Sequence, residues 1–211
     1  EAGTRRQAGR VGQGDRRGPF EGARTHAAQT TLPGMSERRP ERRVQKGARF
    51  ELVTETVDLP NGNRIELDLL PHPGAAAVVP FLDADRVLMI RQYRHATGGE
   101  ILEIPAGKLD AGEDPADCAA RELVEETGYR AGRLEKLGAI WTSPGFTNEV
   151  IHLFAAFDLE PARQALEPDE VIELAPMGLG EALDWVRSGA VVDGKSAMAL
   201  LLAADRLAGG G

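Results

Sequence analysis

The sequence predicts an α/β protein in which a mixed β-sheet lies between helical layers. Three observations support this fold class: strand-like apolar runs lie within residues 50–104, a well-capped helix follows at 115–127, and further strands and helices come after it. Strands before a central helix and helices after it are typical of helical layers packed on one sheet. A small antiparallel β region is expected to precede this arrangement.

The predicted strands are short apolar runs bounded by turn residues. The turn sequence Pro-Asn-Gly-Asn at 60–63 joins the first two strands into a hairpin. The third and fourth strands are expected to form a second pair that is apolar enough to be buried. The expected strands are residues 50–58, 64–70, 75–82, 86–94, 100–104, 150–159 and 171–175, and later helices are expected at 179–187 and 195–207.

The central helix has clear start and stop signals. Asp114 can cap it, Pro115 suits its first turn, and Gly128 ends it. On a helical wheel one face carries small and apolar side chains, and another arc carries three glutamates. The packing face consists of Ala116, Ala119, Ala120 and Leu123, and the acidic arc of Glu122, Glu125 and Glu126.

The acidic arc has two interpretations. On a solvated helix face, like charges at i,i+4 cost only about 0.2–0.5 kcal/mol and need no explanation. If a loop covers the arc, two carboxylates about 5 Å apart repel by about 3 kcal/mol at an effective dielectric of about 20, and a divalent cation would reverse that repulsion. Ligands that are all oxygen favour Mg²⁺, with Mn²⁺ also possible.

The spacing around this helix, from Gly107 to Tyr129, is G-x5-E-x7-R-E-L-x-E-E-x-G-Y. It resembles the Nudix box, the signature of hydrolases that cleave a diphosphate linked to another moiety. The resemblance implies an α/β/α sandwich and a divalent cation held by Glu122 and Glu126, with Glu125 as the next candidate. It also implies a metal contact from the Ala106 carbonyl, and a bracing role for Glu113 and Arg121.

Motifs outside the box resemble the ADP-ribose pyrophosphatase branch of this family. They are Arg-Gln-Tyr-Arg at 91–94, Glu-Ile-Pro-Ala-Gly at 103–107, and a loop at 142–149 whose proline lies 16 residues beyond Gly128. The branch implies that ADP-ribose and water give AMP and ribose 5-phosphate. The predicted substrate-binding residues are Arg91, Arg94, Glu103, Pro144, Gly145, Phe146 and Glu149.

Each of these roles has a structural alternative. Arg91 or Arg94 can bind phosphate through two parallel hydrogen bonds, or can be a surface charge at a strand end. Phe146 can stack on a base or ribose, or can plug a gap in packing. Glu149 can accept hydrogen bonds from sugar hydroxyls, or can be an ordinary charge in a loop.

The resemblance also implies a catalytic base, a glutamate from a loop downstream of the box. Glu170 is the first choice and Glu167 the second, with Glu126 acting as the catalytic metal ligand. Two rival functions stay open: cleavage of another nucleotide sugar such as GDP-mannose, and a regulatory module that senses nucleotide without cleaving it. The three intact glutamates disfavour the sensing module.

Composition and charge define the domains and the partners. Residues 1–49 contain 12 Lys/Arg against 5 Asp/Glu, whereas residues 50–211 contain 13 against 28. We expect a disordered basic tail at 1–47, with 1–34 an over-extended gene start or a dispensable segment, then a β region at 48–72 and a hydrolase domain at 73–211. The tail lacks a nucleic-acid-binding motif, so nucleic acid is not an expected partner.

Other features favour a soluble cytoplasmic enzyme. The single cysteine, Cys118, cannot form an internal disulfide framework, which fits a reducing compartment. No apolar run approaches the roughly 20 residues that span a bilayer, so no membrane partner is expected. Members of the resembled branch are usually homodimers in which the N-terminal sheet helps to shape the substrate pocket.

Overall fold

The computed structural model describes residues 41–209, so most of the predicted basic tail lies outside the described residues. The elements are β1 (Arg42–Lys46), β2 (Glu51–Asp58), β3 (Arg64–Leu69), β4 (Ala75–Pro80), β5 (Arg86–Arg94), β6 (Gly99–Glu103), β7 (Ala106–Lys108), α1 (Pro115–Thr127), β8 (Tyr129–Trp141), β9 (Val150–Pro161), β10 (Ile172–Gly178), α2 (Leu179–Ser188) and α3 (Gly194–Gly209).

The central sheet is mixed, as predicted. Its strand order is β7-β4-β9-β8, and a second sheet has the order β10-β5-β6. Strands β4 and β9 are parallel, whereas β7 and β8 pair with them in antiparallel fashion. The two parallel strands therefore lie in the middle of the sheet, where both faces can be covered.

Alternation along β4 and β9 sends side chains to two separate cores, because successive residues of a strand point to opposite faces. On one face, Ala77 and Leu153 pack with α3 residues such as Leu200. On the other face, Val78 and Phe154 pack with α1 residues such as Leu123, and both sets of side chains are buried. Helices on both faces confirm the predicted α/β/α sandwich.

Helix α1 has the predicted boundaries. The Asp114 side chain accepts a hydrogen bond from the Ala116 N–H at 2.8 Å, which satisfies one free donor of the first turn. Gly128 ends the helix with φ of 72° and donates its N–H to the Val124 carbonyl. Local capping chemistry alone was enough to locate this helix.

The predicted N-terminal hairpin is also present, and it belongs to a larger sheet. Strands β2 and β3 pair in antiparallel register around the turn that contains Gly62. A third strand, β1, pairs with β2. The prediction that residues 1–47 form a disordered tail is therefore wrong for Arg42–Lys46. This strand lacks apolar alternation and is joined to its neighbours by ion pairs such as Arg42–Glu55 and Arg43–Glu66.

The predicted pairing of the third and fourth strands is wrong. Both edges of β4 are occupied, by β7 and β9, and both edges of β5 are occupied, by β6 and β10. At their turn the two segments are joined by an isolated bridge between Phe81 and Val87 and by a hydrogen bond from the Leu82 N–H to the Arg86 carbonyl. Proximity along the chain suggested a hairpin, but each strand pairs with other strands along its two edges.

Besides β1, two further strands were missed entirely. Strand β8 is a half-exposed edge strand with many charged residues and a bulge between Lys136 and Gly138, so its sequence lacks a regular alternation. Strand β7 has only three residues and follows Pro105 directly. Among the residues that the structure describes, no helix is long and apolar enough to cross a membrane.

Candidate active site

Helix α1 carries two buried carboxylates on the side that faces β7. Glu126 is 2% exposed and Glu122 is 8% exposed, although most ionised carboxylates lie in solvent. Glu125, one residue before Glu126, has a half-exposed side chain. The sequence left open whether this arc is solvated, and the structure shows that two of its three members are buried.

Burial changes the acidity of these groups. Burial, helped by the nearby charges of Glu122 and Glu170, raises the pKa of Glu126 to about 8, although a hydrogen bond from the Ala106 N–H at 3.1 Å opposes the shift. Burial also raises the pKa of Glu122. Without a cation, the arc is an electrostatically unfavourable group of like charges.

The first glycine of the box lies directly against the Glu122 carboxylate. A Cβ atom added at Gly107 would collide with the carboxylate of Glu122. Gly107 pairs with Ala76 of β4, so the backbone at this point is held by the sheet and cannot withdraw from the helix. The absence of a side chain therefore allows Glu122 to lie against β7.

Arg121 braces the loop against the helix. Its guanidinium forms a bidentate pair with Glu113 at 2.9 and 3.0 Å and donates to the Lys108 carbonyl at 3.1 Å. The hydrogen bonds from Arg121 lower the pKa of Glu113 to about 2. The predicted bracing contact between these two residues is present.

Arg121 also neutralises part of the acidic arc. It donates to Glu122 at 2.6 Å and to Glu125 at 3.0 Å, so both carboxylates are turned toward the guanidinium. Within residues 41–209, no three acidic, imidazole or thiol side chains converge into a finished metal cage. Arg121 engages one oxygen of each carboxylate, Oε1 of Glu122 and Oε2 of Glu125.

A cavity of about 1080 Å³ opens above this arc. Eight of the predicted site residues line it: Arg94, Glu103, Ala106, Glu122, Glu125, Glu149, Glu167 and Glu170. Glu126 lies beneath its surface, in contact with Ala106. Four predicted substrate-binding residues do not line it: Arg91, Pro144, Gly145 and Phe146. The side chains of Arg91 and Phe146 are exposed instead.

The loop that carries the predicted base reaches the acidic arc. The charge of Glu170 acts on both Glu122 and Glu126, which places its carboxylate near them. Glu170 is half-buried and accepts a hydrogen bond from the Glu167 N–H at 2.7 Å, whereas Glu167 itself is exposed. The local turn thus directs Glu170 inward and leaves Glu167 at the rim.

Glu149 also lines the cavity. Its carboxylate accepts a hydrogen bond from the Thr142 hydroxyl at 2.7 Å and lies 3.5 Å from the His72 ring. Burial lowers the pKa of His72. The two contacts hold Glu149 in place at the cavity surface.

Sequence reasoning missed an ionic network in the cavity wall. Arg94 forms a bidentate pair with the buried Glu103 at 2.8 and 2.9 Å, and Lys195 donates to the same carboxylate at 2.5 Å. Lys195 also donates to Asp193 at 2.9 Å. Lys195 was recognised only as the start of a helix, and no local pattern indicates a partner 92 residues away.

Residues from other parts of the chain complete the walls. Arg49 forms an ion pair with Asp169 of the base-bearing loop, and the Lys108 ammonium lies 4.8 Å from the centre of the Phe50 ring. Gln92, which follows Arg91 in the sequence, lines the cavity, and its buried Oε1 accepts no hydrogen bond from the residues that the structure describes.

Comparisons with known proteins agree with this geometry. The NUDIX domain model matches residues 71–197. An ADP-ribose pyrophosphatase of Bacillus subtilis (strain 168) is 42% identical over 159 residues, and a methanol dehydrogenase activator of Bacillus methanolicus is 40% identical over the same length; each alignment covers 74% of this chain and 86% of the relative. The crystal structure of an ADP compounds hydrolase aligns with a TM-score of 0.72 at 25% identity, covering 84% of this chain and 98% of that one.

The matched region contains the box, the acidic arc and most of the cavity wall. The family model covers more than half of the 211 residues, and the relatives exceed 30% identity over most of their own length. The chain therefore belongs to the Nudix hydrolase family.

Proposed function

We propose that this protein hydrolyses the diphosphate of ADP-ribose to give AMP and ribose 5-phosphate, with Mg²⁺ as its cofactor. The observation that carries the proposal is the acidic arc of α1, with two buried carboxylates beneath a cavity of about 1080 Å³. The 42% identity to an ADP-ribose pyrophosphatase supports the choice of substrate.

The acidic arc suits a divalent cation. Burial raises the pKa of both Glu122 and Glu126, so the ionised pair is destabilised until a positive charge compensates it. Members of this family typically use a divalent metal. Here Glu122, Glu125, Glu126 and the carbonyl of Ala106 would hold it, and their oxygen-only chemistry favours Mg²⁺, with Mn²⁺ possible.

The chemistry assigns different tasks to the ion and to the protein. When bound, the cation neutralises the diphosphate and the charge that builds on its bridging oxygen. Glu170 accepts the proton of the attacking water, whose oxygen bonds to one phosphorus as the bond from that phosphorus to the bridging oxygen breaks. The Glu167 N–H holds the Glu170 carboxylate in position, and Glu167 is the second candidate for the base.

The cavity walls provide contacts for the rest of the substrate. Arg94 is the better placed of the two motif arginines for a phosphate, because it lines the cavity and Arg91 does not. Glu149 is held where it can accept hydrogen bonds from a sugar. Arg91, Pro144, Gly145 and Phe146 stay predicted substrate contacts, and Glu103 has both carboxylate oxygens already engaged.

The substrate assignment is tested by product analysis over a panel of diphosphates. With Mg²⁺ present, ADP-ribose should give the highest kcat/KM and should yield AMP and ribose 5-phosphate in equal amounts. A clear preference for GDP-mannose would replace ADP-ribose with another nucleotide sugar. A preference for a nucleoside triphosphate would exclude both ADP-ribose and other nucleotide sugars as the substrate.

Replacing Glu126 with Gln tests the metal assignment. Glu126→Gln keeps the volume of the side chain and an oxygen that can accept the Ala106 N–H, but removes a charged ligand. We expect Mg²⁺-dependent turnover to fall at least about 100-fold, because the cation supplies several kcal/mol of charge stabilisation. Thermal unfolding and circular dichroism should show an intact fold.

The exposed Glu160 at the end of β9 offers a matched control. Glu160→Gln should leave turnover within about twofold of the unmodified protein, as expected for a surface change. Full activity in Glu126→Gln would refute the metal assignment. Turnover that never depends on Mg²⁺ in the unmodified protein, together with tight nucleotide binding, would favour the sensing module.

Replacing each loop glutamate with Gln tests the choice of base. We expect Glu170→Gln to lower kcat by about 10²- to 10⁴-fold with little change in KM, since a general base acts in the transition state. Glu167→Gln should lower kcat by less than about fivefold, because the Glu167 side chain is exposed at the rim of the cavity. Steady-state kinetics on ADP-ribose would measure both, and the reverse order of effects would transfer the role to Glu167.

We also propose that the β region predicted at 48–72, with β1 added, contributes to a homodimer of hydrolase domains formed by residues 73–211. One face of this sheet carries Val44, Val57, Ile65 and Leu67, which are only partly covered within the chain, and Val44 is 45% exposed. A partly uncovered apolar face is typical of a protein interface.

Sedimentation of the purified protein tests this assembly. The unmodified protein should sediment with twice the mass of the chain, and Val44→Glu should shift it toward the monomer by burying an unpaired charge in the interface. Gln45, the next residue, lies on the opposite face of the strand and provides the control. A monomeric unmodified protein, or equal effects of Val44→Glu and Gln45→Glu, would contradict the proposal.

A further inference from the structure

Glu103, at the end of β6, is a buried carboxylate with two cationic partners. Its side chain is 2% exposed and is paired with both Arg94 and Lys195. Arg94 donates through Nε and Nη2 to both carboxylate oxygens, and Lys195 donates to Oε2 alone. A single cation would be enough to pair with this carboxylate, so the second one calls for an explanation.

The two cations differ in how firmly they are held. The Lys195 side chain is 11% exposed and lies between two carboxylates, those of Glu103 and Asp193. Asp193 is itself fixed, because it accepts hydrogen bonds from the backbone N–H and the hydroxyl of Ser196. Lys195 therefore belongs to the rigid start of α3.

That start of α3 is tied directly to the end of β6. The Ser196 hydroxyl accepts a hydrogen bond from the Ile104 N–H at 2.8 Å, one residue after Glu103, and Ser196 is fully buried. Helix and strand are thus joined by side-chain and backbone contacts at the same point. The backbone that carries Lys195 is therefore held close to Glu103.

Arg94 is the more exposed of the two cations in the network. Its side chain is 41% exposed, it lines the cavity, and Glu103 is its only hydrogen-bonded partner among the side chains that the structure describes. The charge of Glu126 also acts on Arg94, which places the guanidinium near the acidic arc where the diphosphate would lie. Arg94 can therefore reach a phosphate by turning away from Glu103.

The Arg94 guanidinium can rotate away from Glu103 only if Glu103 keeps another cationic partner. A buried carboxylate that loses its sole cation is strongly destabilised, because desolvation is no longer offset. Burial by itself would raise the pKa of Glu103, yet Arg94 and Lys195 together hold it below its ordinary value. With Lys195 in place, the carboxylate stays paired after Arg94 departs.

We propose that Lys195 is a positioning residue: it is the permanent counter-ion of Glu103 and so frees the Arg94 guanidinium to bind a phosphate oxygen of the substrate. This inference rests on the proposed function, in which the substrate contains a diphosphate. Lys195 acts through Glu103 and Arg94 and does not itself contact the reacting atoms. Without Lys195, Arg94 is retained by Glu103 and is lost to the substrate.

The test compares three variants, Lys195→Met, Glu103→Gln and the double variant, in the full chain. Calorimetry with EDTA-treated protein measures the Kd of two probes without turnover, ADP-ribose and inorganic pyrophosphate. Lys195→Met should raise the Kd of both probes about tenfold, which is the effect expected from the loss of one hydrogen bond to a charged group. With Mg²⁺, the loss should appear in KM more than in kcat.

The double variant separates a positioning role from a direct one. Glu103→Gln removes the charge that retains Arg94, so adding it to Lys195→Met should restore binding to within about threefold of the unmodified protein. Such non-additivity is expected when two residues act through one network. Lys195→Arg should also bind nearly normally, because it keeps the positive charge beside Glu103.

Lys108 provides the matched control. It is another lysine in the cavity wall, and its ammonium lies over Phe50 instead of on a carboxylate. Lys108→Met removes the same charge from the same cavity, but Glu103→Gln should not rescue it. Thermal unfolding of every variant identifies any loss of binding that arises from loss of the fold.

Several outcomes would overturn the inference. They are unchanged binding by folded Lys195→Met, a double variant as weak as Lys195→Met, equal rescue of Lys108→Met, and an unmodified protein that binds neither probe. Failure of the proposed function looks different: the unmodified protein would bind pyrophosphate but would not hydrolyse ADP-ribose. The Kd values of the variants for pyrophosphate would then still test the role of Lys195.

Discussion

The whole site depends on two carboxylates, Glu122 and Glu126, that are buried between helix α1 and strand β7. Like charges in a poorly solvated place are unfavourable, and the fold offsets this with a small number of contacts. The Ala106 N–H bonds to Glu126, Arg121 bonds to Glu122, and Gly107 leaves room for the Glu122 carboxylate. These contacts stabilise the arc only partly, which leaves it suited to a cation.

The sandwich holds these contacts in place. Pairing of β7 with β4 fixes the backbone at Ala106 and Gly107, and packing of α1 on the same sheet fixes the helix that bears the glutamates. The other face of the sheet supports α3, whose first turn holds the Glu103 carboxylate through Lys195 and the Ile104 N–H through Ser196. Helices on opposite faces of one sheet thus contribute the acidic arc and the ionic network to a single cavity.

Sequence reasoning succeeded where the interacting residues are close along the chain and failed where they are far apart. Helix α1 was located correctly because Asp114 and Gly128 act on their immediate neighbours. The pairing of β4 with β9 joins residues that are 76 positions apart, as in Ala75 with Ile151, and nothing in the sequence of either strand indicates its partner. The sequence around Lys195 likewise indicates only the start of a helix, and only the folded structure places Lys195 beside Glu103. Strand β1 was missed for another reason, since ion pairs replace its apolar pattern.

The position of Arg49 and Phe50 bears on where the working unit of this protein begins. Both residues line the cavity, and Arg49 is paired with Asp169 beside the proposed base. The family match starts only at residue 71. A shortened protein cut at that boundary would keep the box and the sandwich but would lose one wall of its cavity. In this chain the N-terminal segment is part of the enzyme's interior surface as well as a candidate for assembly.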